Sequence, residues 1–211
     1  MINNAKTLDY IIGGIFMKKT TPKFIKPLIF ILIALVIIGV FYYCSRKKVD
    51  NNEEIAAEDE ISVIVNRDLT LNYPSTPKSV VTFYSEIIKT IYKTEHTDEQ
   101  LQALAGQARG LFDEELLKHN EYSAYMDRLR AEVKSYKDAG RFISGYQIED
   151  GYNIEYIKSE GKEYAKVNVK YYVREGKNVI NTYEEYTLRK DEDGKWRILY
   201  WELSDAASME E

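Results

Sequence analysis

The chain has 211 residues, of which 45% are hydrophobic and 30% are charged, and its formal net charge is −5. Residues 1–48 carry eight basic groups and one acidic group, so residues 49–211 carry a net charge of −12. This acidic surplus argues against nucleic acid as a partner, because phosphate binding needs a basic surface. With one cysteine, Cys44, and two histidines, His96 and His119, we expect no disulfide, no Cys/His metal site and no cofactor.

Two candidate translation starts precede the first long apolar run. Met17–Lys19 (MKK) is typical of a bacterial start, and Gly13-Gly14 can be encoded by a purine-rich ribosome-binding sequence just upstream. We therefore interpret residues 1–16 as a translated upstream region with no weight in the fold and residues 17–26 as a cytoplasmic tail. A start at Met1 stays open.

The run Pro27–Tyr43 predicts a transmembrane helix, which we place at residues 27–44. It has 17 residues without a charge, the short end of what spans a bilayer, and as a helix it reaches ~26 Å. A buried core helix fits less well, because a helix apolar on every face needs lipid or a large core around it. Basic residues flank the run on both sides: Lys23, Lys26, Arg46, Lys47 and Lys48.

The residues at the exit of this run favour an uncleaved signal anchor. A cleaved signal peptide or a lipoprotein signal needs small residues before the cut, whereas Phe41–Tyr43 in front of Cys44 are bulky. A short basic tail, one span and a long C-terminal part favour a cell-membrane protein with its N-terminus inside and its large domain outside. The excess of basic residues before the span is small, so the opposite orientation stays open.

An acidic spacer is predicted at residues 45–75, between the span and the domain. Val49–Asp59 is polar and acidic and is typical of a flexible linker. Ile61–Leu71 is ambiguous, since its apolar residues fit either a strand or a short helix. Tyr73–Pro77 then contains two prolines, which end any regular element.

Helical periodicity follows from Thr76 to Ala139. Thr76 is a natural N-cap and Pro77 suits the first helical position. A second helix begins with a capping box formed by Thr97 and Gln100, a short third turn is expected at 112–119, and a further helix at 121–139. The apolar face of the first helix repeats every three or four residues: Val80, Val81, Tyr84, Ile87, Ile88, Ile91 and Tyr92.

From Arg141 onward the apolar period changes to two, which predicts strands. Turn signals at 150–151, 160–161, 175–176 and 193–194 divide the region into five strands: 142–149, 152–159, 163–174, 178–190 and 195–203. Short turns predict antiparallel hairpins in a curled meander. The last strand is apolar on both faces, so we expect it to be central or covered on both sides. The predicted fold class is α+β, with a helical segment packed on a curled, cone-like antiparallel sheet of about five strands.

In element order and in its closing strand, DGKWRILYWEL, the chain resembles the nuclear-transport-factor-2-like superfamily over about 76–205. It also resembles an uncharacterised group of single-span bacterial proteins through YPSTPKSVVTFYSEI, LFDEELLKHN and TYEEYTLRKDEDGKWRILYWEL. The superfamily resemblance implies a cone that hosts enzymes, ligand binders or assembly subunits, so the fold does not choose the function.

We expect a membrane-anchored, extracytoplasmic, non-catalytic module that binds another protein or peptide. A subunit of a secretion or conjugation channel is one alternative, and a small-ligand binder or isomerase-like enzyme using the cone cavity is another. Glu184 and Glu185 are neighbours on one strand, so at most one of them enters a cavity. No catalytic residue is assigned, and the candidate binding residues are Tyr171, Tyr183, Tyr186, Tyr200, Trp201 and Glu202.

Overall fold

The computed structural model describes residues 60–205, which belong to one unit, Asn52–Glu211. The predicted upstream region, cytoplasmic tail and transmembrane segment, with the first part of the spacer, lie outside the described residues. Within residues 60–205, no helix is both long and apolar enough to cross a membrane.

The described residues form an α+β fold in which helices precede an antiparallel sheet, as predicted. The helical segments are α1 at 60–65, α2 at Pro77–Lys93, α3 at Asp98–Arg109, α4 at Glu114–His119 and α5 at Tyr122–Asp138.

The starts of α2 and α3 are fixed by side chains at their N-termini, and both predicted N-caps are confirmed. The Thr76 hydroxyl accepts from the backbone N–H of Ser79, and the Ser79 hydroxyl accepts from the backbone N–H of Thr76. At α3, Thr97 and Gln100 make the same reciprocal pair. Each capping box satisfies backbone donors that a helix otherwise leaves unpaired.

The ambiguous segment after the linker is helical at residues 60–65. Ile61 and Ile64 are 3% and 2% exposed and belong to the hydrophobic core. These two residues extend the core on the N-terminal side of residue 76, where the domain was expected to begin.

Five strands follow among the described residues: β1 at Arg141–Ile148, β2 at Glu155–Ser159, β3 at Lys162–Glu175, β4 at Asn178–Lys190 and β5 at Trp196–Leu203. The sheet order is β1-β3-β4-β5, and β2 pairs with β3. All pairs are antiparallel.

The expected hairpin between β1 and β2 is wrong. Both strands pair with β3: β1 pairs with the second half of β3, and β2 pairs with the first five residues of β3. The glycines of the three formed hairpins, Gly161, Gly176 and Gly194, have positive φ, whereas Gly151 does not. Instead of closing a hairpin, the chain after β1 is held by the buried carboxylate of Glu149, which accepts from the backbone N–H of Asn168 at 2.6 Å.

The expectation that the last strand is central or covered on both sides is also wrong, because β5 is an edge strand and its second half is exposed. Trp196 and Ile198, in its first half, are buried at 7% and 0% exposure. A register shift then occurs opposite Thr187 and Leu188, and the second half of β5 is exposed despite its apolar residues. Apolar character on both faces therefore did not mark a central position.

One side of the sheet packs against α2 and is called the helix-covered face, and the other is called the outer face. The apolar stripe of α2 is buried here, with Val80, Val81, Ile87 and Ile91 at 0% exposure. The helix-covered face carries Val167, Val169, Tyr171, Glu184, Tyr186, Leu188 and Ile198, whereas the outer face carries Lys166, Lys170, Tyr183, Glu185, Tyr200 and Glu202.

Candidate functional site

The six residues predicted as a binding surface do not share one face of the sheet. Trp201 lies directly opposite Tyr186, whereas Tyr200 lies opposite Thr187 and Glu202 opposite Glu185. Since directly paired residues point to the same face and neighbours in a strand to opposite faces, the set divides in two. Tyr171, Tyr186 and Trp201 are on the helix-covered face, and Tyr183, Tyr200 and Glu202 are on the outer face.

Two of these tyrosines are core residues that join a chain of hydrogen bonds. Tyr171 and Tyr186 are 3% and 1% exposed. The Ser85 and Tyr171 hydroxyls are 2.8 Å apart, and the Tyr171 and Tyr186 hydroxyls 3.0 Å apart. The Tyr186 hydroxyl then donates to Glu184 Oε2 at 2.6 Å. The chain connects the buried face of α2 with a carboxylate on β4, and burial raises the pKa of both tyrosines.

Glu184 is the least buried residue in this series of hydrogen bonds. Burial is the main cause that raises its pKa, the nearby charge of Glu132 adds to this, and the bond from Tyr186 opposes it. No lysine or arginine among residues 60–205 forms an ion pair with Glu184. Its sequence neighbour Glu185 lies on the outer face and is paired with Lys166 at 2.6 Å.

The two glutamates lie on opposite faces of β4, as expected for neighbours in a strand, with Glu184 on the helix-covered face. The sequence signal that identifies Glu184 is its spacing of two from Tyr186, because this spacing puts both side chains on one face of a strand. The binding prediction omitted Glu184 because the sequence does not show which face of β4 the helices cover.

Trp201 closes an aromatic cluster at the end of the helix-covered face. Its ring is stacked on Tyr186, with centroids 5.9 Å apart and an interplanar angle of 24°. Tyr84 and Phe112 lie 5.8 Å and 5.9 Å from the same ring. Trp201 is nevertheless 37% exposed, so one part of the ring packs on the core and another part meets solvent.

The free edge of β5 divides into a covered half and an open half. In the covered half, Ile198 accepts from the Asp113 backbone N–H at 2.8 Å and donates to the Leu111 carbonyl at 2.9 Å. The Asp113 carboxylate, which is buried, is in turn paired with Arg189 on β4. Residues 111–113 are thereby held along the beginning of β5.

The open half of the β5 edge comprises residues 199–203. Tyr200, Trp201 and Leu203 are 44%, 37% and 77% exposed, which places three large apolar or aromatic side chains beside an edge that no described strand pairs. This half carries one charged residue, Glu202, and no basic residue. The sequence prediction included Tyr200, Trp201 and Glu202 but missed the open edge, because it expected this strand to be central or covered on both sides.

The outer face holds a second, smaller group around Lys170. The Lys170 ammonium lies 5.6 Å from the ring centroid of Tyr172 and 5.4 Å from that of Tyr183. Tyr183 thus contacts a cation of its own sheet and is separate from the Trp201 cluster.

Other residues that often carry chemistry are used locally in the described part of the chain. His96 Nε2 is 3.0 Å from the carbonyl oxygen of Ile91, and His119 Nδ1 is 2.8 Å from that of Glu115. Residues 60–205 contain no group of three or more His, Cys, Asp or Glu side chains arranged to hold a metal ion. Two surface hollows, one between α1 and α3 and one at the start of α2, do not border Glu184.

Comparison with known proteins gives a family and no activity. Residues 17–201 match the model of a family described as a domain of unknown function (DUF6715), and the chain belongs to that family. No curated protein matches the chain.

Proposed function

We propose that this member of the DUF6715 family is a single-pass membrane protein whose outer domain binds an extended segment of a partner protein without catalysing a reaction. The observation that carries the proposal is the open half of the β5 edge, residues 199–203, with its exposed Tyr200, Trp201 and Leu203. The partner segment adds a strand beside β5.

Two properties of this edge support strand addition. Unpaired backbone donors and acceptors on an edge strand are a template for another chain, and proteins usually protect such edges with charges, prolines or covering loops. Residues 111–113 cover the beginning of β5 in this way. In the open half, Glu202 is the only charged residue that could protect the edge, and there is no proline. Binding modules that add a strand obtain affinity from main-chain hydrogen bonds and specificity from alternate side chains.

Charge complementarity indicates what kind of segment binds. The open half of β5 contains Glu202 on the outer face, and Glu184 lies next to it on the helix-covered face of β4, directly opposite Leu203. Neither carboxylate has a lysine or arginine partner in an ion pair among residues 60–205. The proposed segment is therefore extended and combines apolar side chains with basic ones, and the acidic composition of residues 49–211 attracts such a segment.

A catalytic use of Glu184 has less support. A general base needs a substrate within hydrogen-bond reach, usually in a concave pocket. The two surface hollows described above do not border Glu184. Its hydrogen-bond donor is Tyr186, whose ring packs against those of Tyr84 and Trp201. We therefore interpret the interior around Tyr171 and Tyr186 as packed core.

The membrane part of the proposal rests on the run Pro27–Tyr43 and its flanking basic residues. The N-terminus is inside and the domain is outside. Protease added to intact cells, once any wall is removed, is expected to digest the domain while the anchor stays in the membrane. A domain protected until lysis contradicts the orientation, and a mature N-terminus after Tyr43 contradicts the uncleaved anchor.

Strand addition is tested with the full chain in lipid nanodiscs and a phage library of random nine-residue peptides. We expect enriched peptides that combine apolar residues with at least one basic residue. A synthetic copy of an enriched peptide is expected to bind Leu203→Ala roughly fivefold more weakly, as for the loss of about 1 kcal/mol of apolar contact. Leu71→Ala is the matched control, because Leu71 is also highly exposed, at 81%, but lies before α2.

Methylated peptides separate strand addition from other binding. N-methylation of every second backbone amide is expected to abolish binding in one of the two phases, because one set of amides pairs with β5 and the other set points away. Binding that survives methylation in both phases overturns strand addition. A library that yields no enriched peptide overturns the proposed function.

A further inference from the structure

We propose that Glu184 and Trp201 form a subsite on the helix-covered face for a lysine or arginine side chain of the bound segment. The inference rests on the proposed function, because the segment that pairs with β5 brings the basic side chain to the subsite. It adds a specific chemical requirement: one position of that segment has to carry a cation.

Glu184 is a partly buried carboxylate whose loss of hydration is only partly replaced by hydrogen bonds. Tyr186 donates to Oε2 at 2.6 Å, and no described residue hydrogen-bonds the other oxygen. A charge partly removed from water is costly unless a cation or several donors compensate it. The nearby charge that affects it most is that of Glu132, which repels it.

Glu149 shows how a structural carboxylate of this fold is satisfied. It is 6% exposed, and its two oxygens accept from the backbone N–H and the side-chain amide of Asn168, at 2.6 Å and 3.4 Å. Both of its partners belong to the neighbouring strand. Among residues 60–205, Tyr186 is the one residue that hydrogen-bonds Glu184, so its other oxygen can accept from an incoming donor.

Trp201 supplies the other half of the subsite. Its ring stacks on Tyr186, the residue that donates to Glu184, so the aromatic surface and the carboxylate are positioned by one side chain. A lysine or arginine binds such a pair well, because its apolar stem packs on an aromatic ring while its charged head reaches the carboxylate. The 37% exposure of Trp201 leaves ring surface for this contact.

The positions of the strands fit a side chain from an added strand. Trp201 is on β5, and Glu184 is on β4 opposite Leu203, two residues further along β5. Strands lie about 4.8 Å apart, so the added strand lies about 10 Å from β4. A long side chain on the helix-covered face crosses β5 beside Trp201 and meets the side chain of Glu184. Only every second residue of the segment faces this side, so the requirement falls on one phase of the alternation.

The test compares the random nine-residue phage library on three full chains in lipid nanodiscs: the unchanged protein, Glu184→Gln and Glu185→Gln. Glu185 is the matched control, because it is the next residue on β4 but points to the outer face, where Lys166 neutralises it. We expect a conserved lysine or arginine in the peptides enriched on the unchanged protein and on Glu185→Gln. On Glu184→Gln, the apolar positions are expected to persist and the basic position to disappear.

A synthetic enriched peptide gives the quantitative measurement. Replacing its conserved lysine with norleucine, which keeps the apolar stem, is expected to weaken binding to the unchanged protein about tenfold and to leave binding to Glu184→Gln unchanged. Persistence of the basic position on Glu184→Gln, or equal binding of both peptides to the unchanged protein, overturns the subsite alone. Failure of all three chains to enrich any peptide overturns the proposed function and the subsite with it.

Discussion

The Tyr186 hydroxyl donates a 2.6 Å hydrogen bond to the carboxylate of Glu184, two residues earlier on the same strand. Because the two residues share the helix-covered face, a buried tyrosine fixes the position of a carboxylate at the border of the core. The stability of the domain therefore depends on the charge of a residue that we assign to recognition.

Glu184→Gln is expected to change how stability depends on pH. Burial raises the pKa of Glu184 above its ordinary value of 4.5, so the folded state binds this proton more tightly than the unfolded state. The contribution of Glu184 to the free energy of unfolding then falls as pH rises from that ordinary value through the raised one. Glutamine does not titrate. The free energy of unfolding of Glu184→Gln, relative to that of the unchanged protein, should therefore rise over this pH range and then level off.

Urea unfolding of the two proteins at several pH values, from about pH 4 to about pH 8, measures this difference. The other titrating groups are common to both proteins, so their contributions largely cancel in the difference. A difference that stays constant with pH, or one that increasingly favours the unchanged protein as pH rises, contradicts a raised pKa for Glu184.

The hydrogen bonds that join Ser85, Tyr171, Tyr186 and Glu184 predict which substitutions destabilise the domain most. Tyr186→Phe leaves Glu184 without its donor and removes one partner of Tyr171, so it should lower the free energy of unfolding by about 2 kcal/mol. Ser85→Ala should cost about 1 kcal/mol, because the Tyr171 hydroxyl keeps Tyr186 as a partner. Tyr156→Phe is the control, since Tyr156 is 60% exposed and should change little. Equal losses for Tyr186→Phe and Ser85→Ala argue against the chain.

The ion pair between Asp113 and Arg189 holds the segment that covers the first half of β5. Asp113 is 4% exposed and also caps α4, so Asp113→Ala leaves a partly buried arginine with a weaker partner and removes the cap. We expect a loss of about 3 kcal/mol in thermal or urea unfolding. Glu115→Ala removes the other partner of Arg189, which is exposed, and should cost under about 0.5 kcal/mol. A similar cost for both variants contradicts the structural role of Asp113.

The sequence predicted helices and strands well where nearby residues determine their ends. The N-caps Thr76 and Thr97, the helix periodicity and the turn glycines define elements within a few residues, and their bounds agree with the structure. Pairing was predicted less well because it depends on distant residues. Nothing in the turn at 150–151 shows that β1 pairs with β3 or that Glu149 bonds Asn168. The likeness to the nuclear-transport-factor-2-like superfamily stays a prediction.

The sequence identified individual residues of the candidate site but not which of them lie together on one face of the sheet. The abundance of aromatic residues on β3, β4 and β5 identified Tyr186 and Trp201, which do contact each other. The same pattern also included Tyr183, which lies on the outer face. Alternation separates the two faces of each strand but does not say which face the helices cover. The register shift between β4 and β5 also interrupts the alternation along β5.

Trp201→Ala tests whether this tryptophan supports the core or serves recognition. A fully buried tryptophan costs about 3–5 kcal/mol on truncation, and Trp201 is 37% exposed while packing on Tyr84, Phe112 and Tyr186. We expect an intermediate loss of about 2 kcal/mol in urea unfolding. Trp196→Ala, at the buried 7% exposed position in the same strand, should cost about 4 kcal/mol. For peptides enriched on the unchanged protein the order should reverse, with binding lost in Trp201→Ala and kept by the folded fraction of Trp196→Ala. Equal stability losses make Trp201 an ordinary core residue, and undiminished peptide binding by Trp201→Ala removes it from the recognition surface.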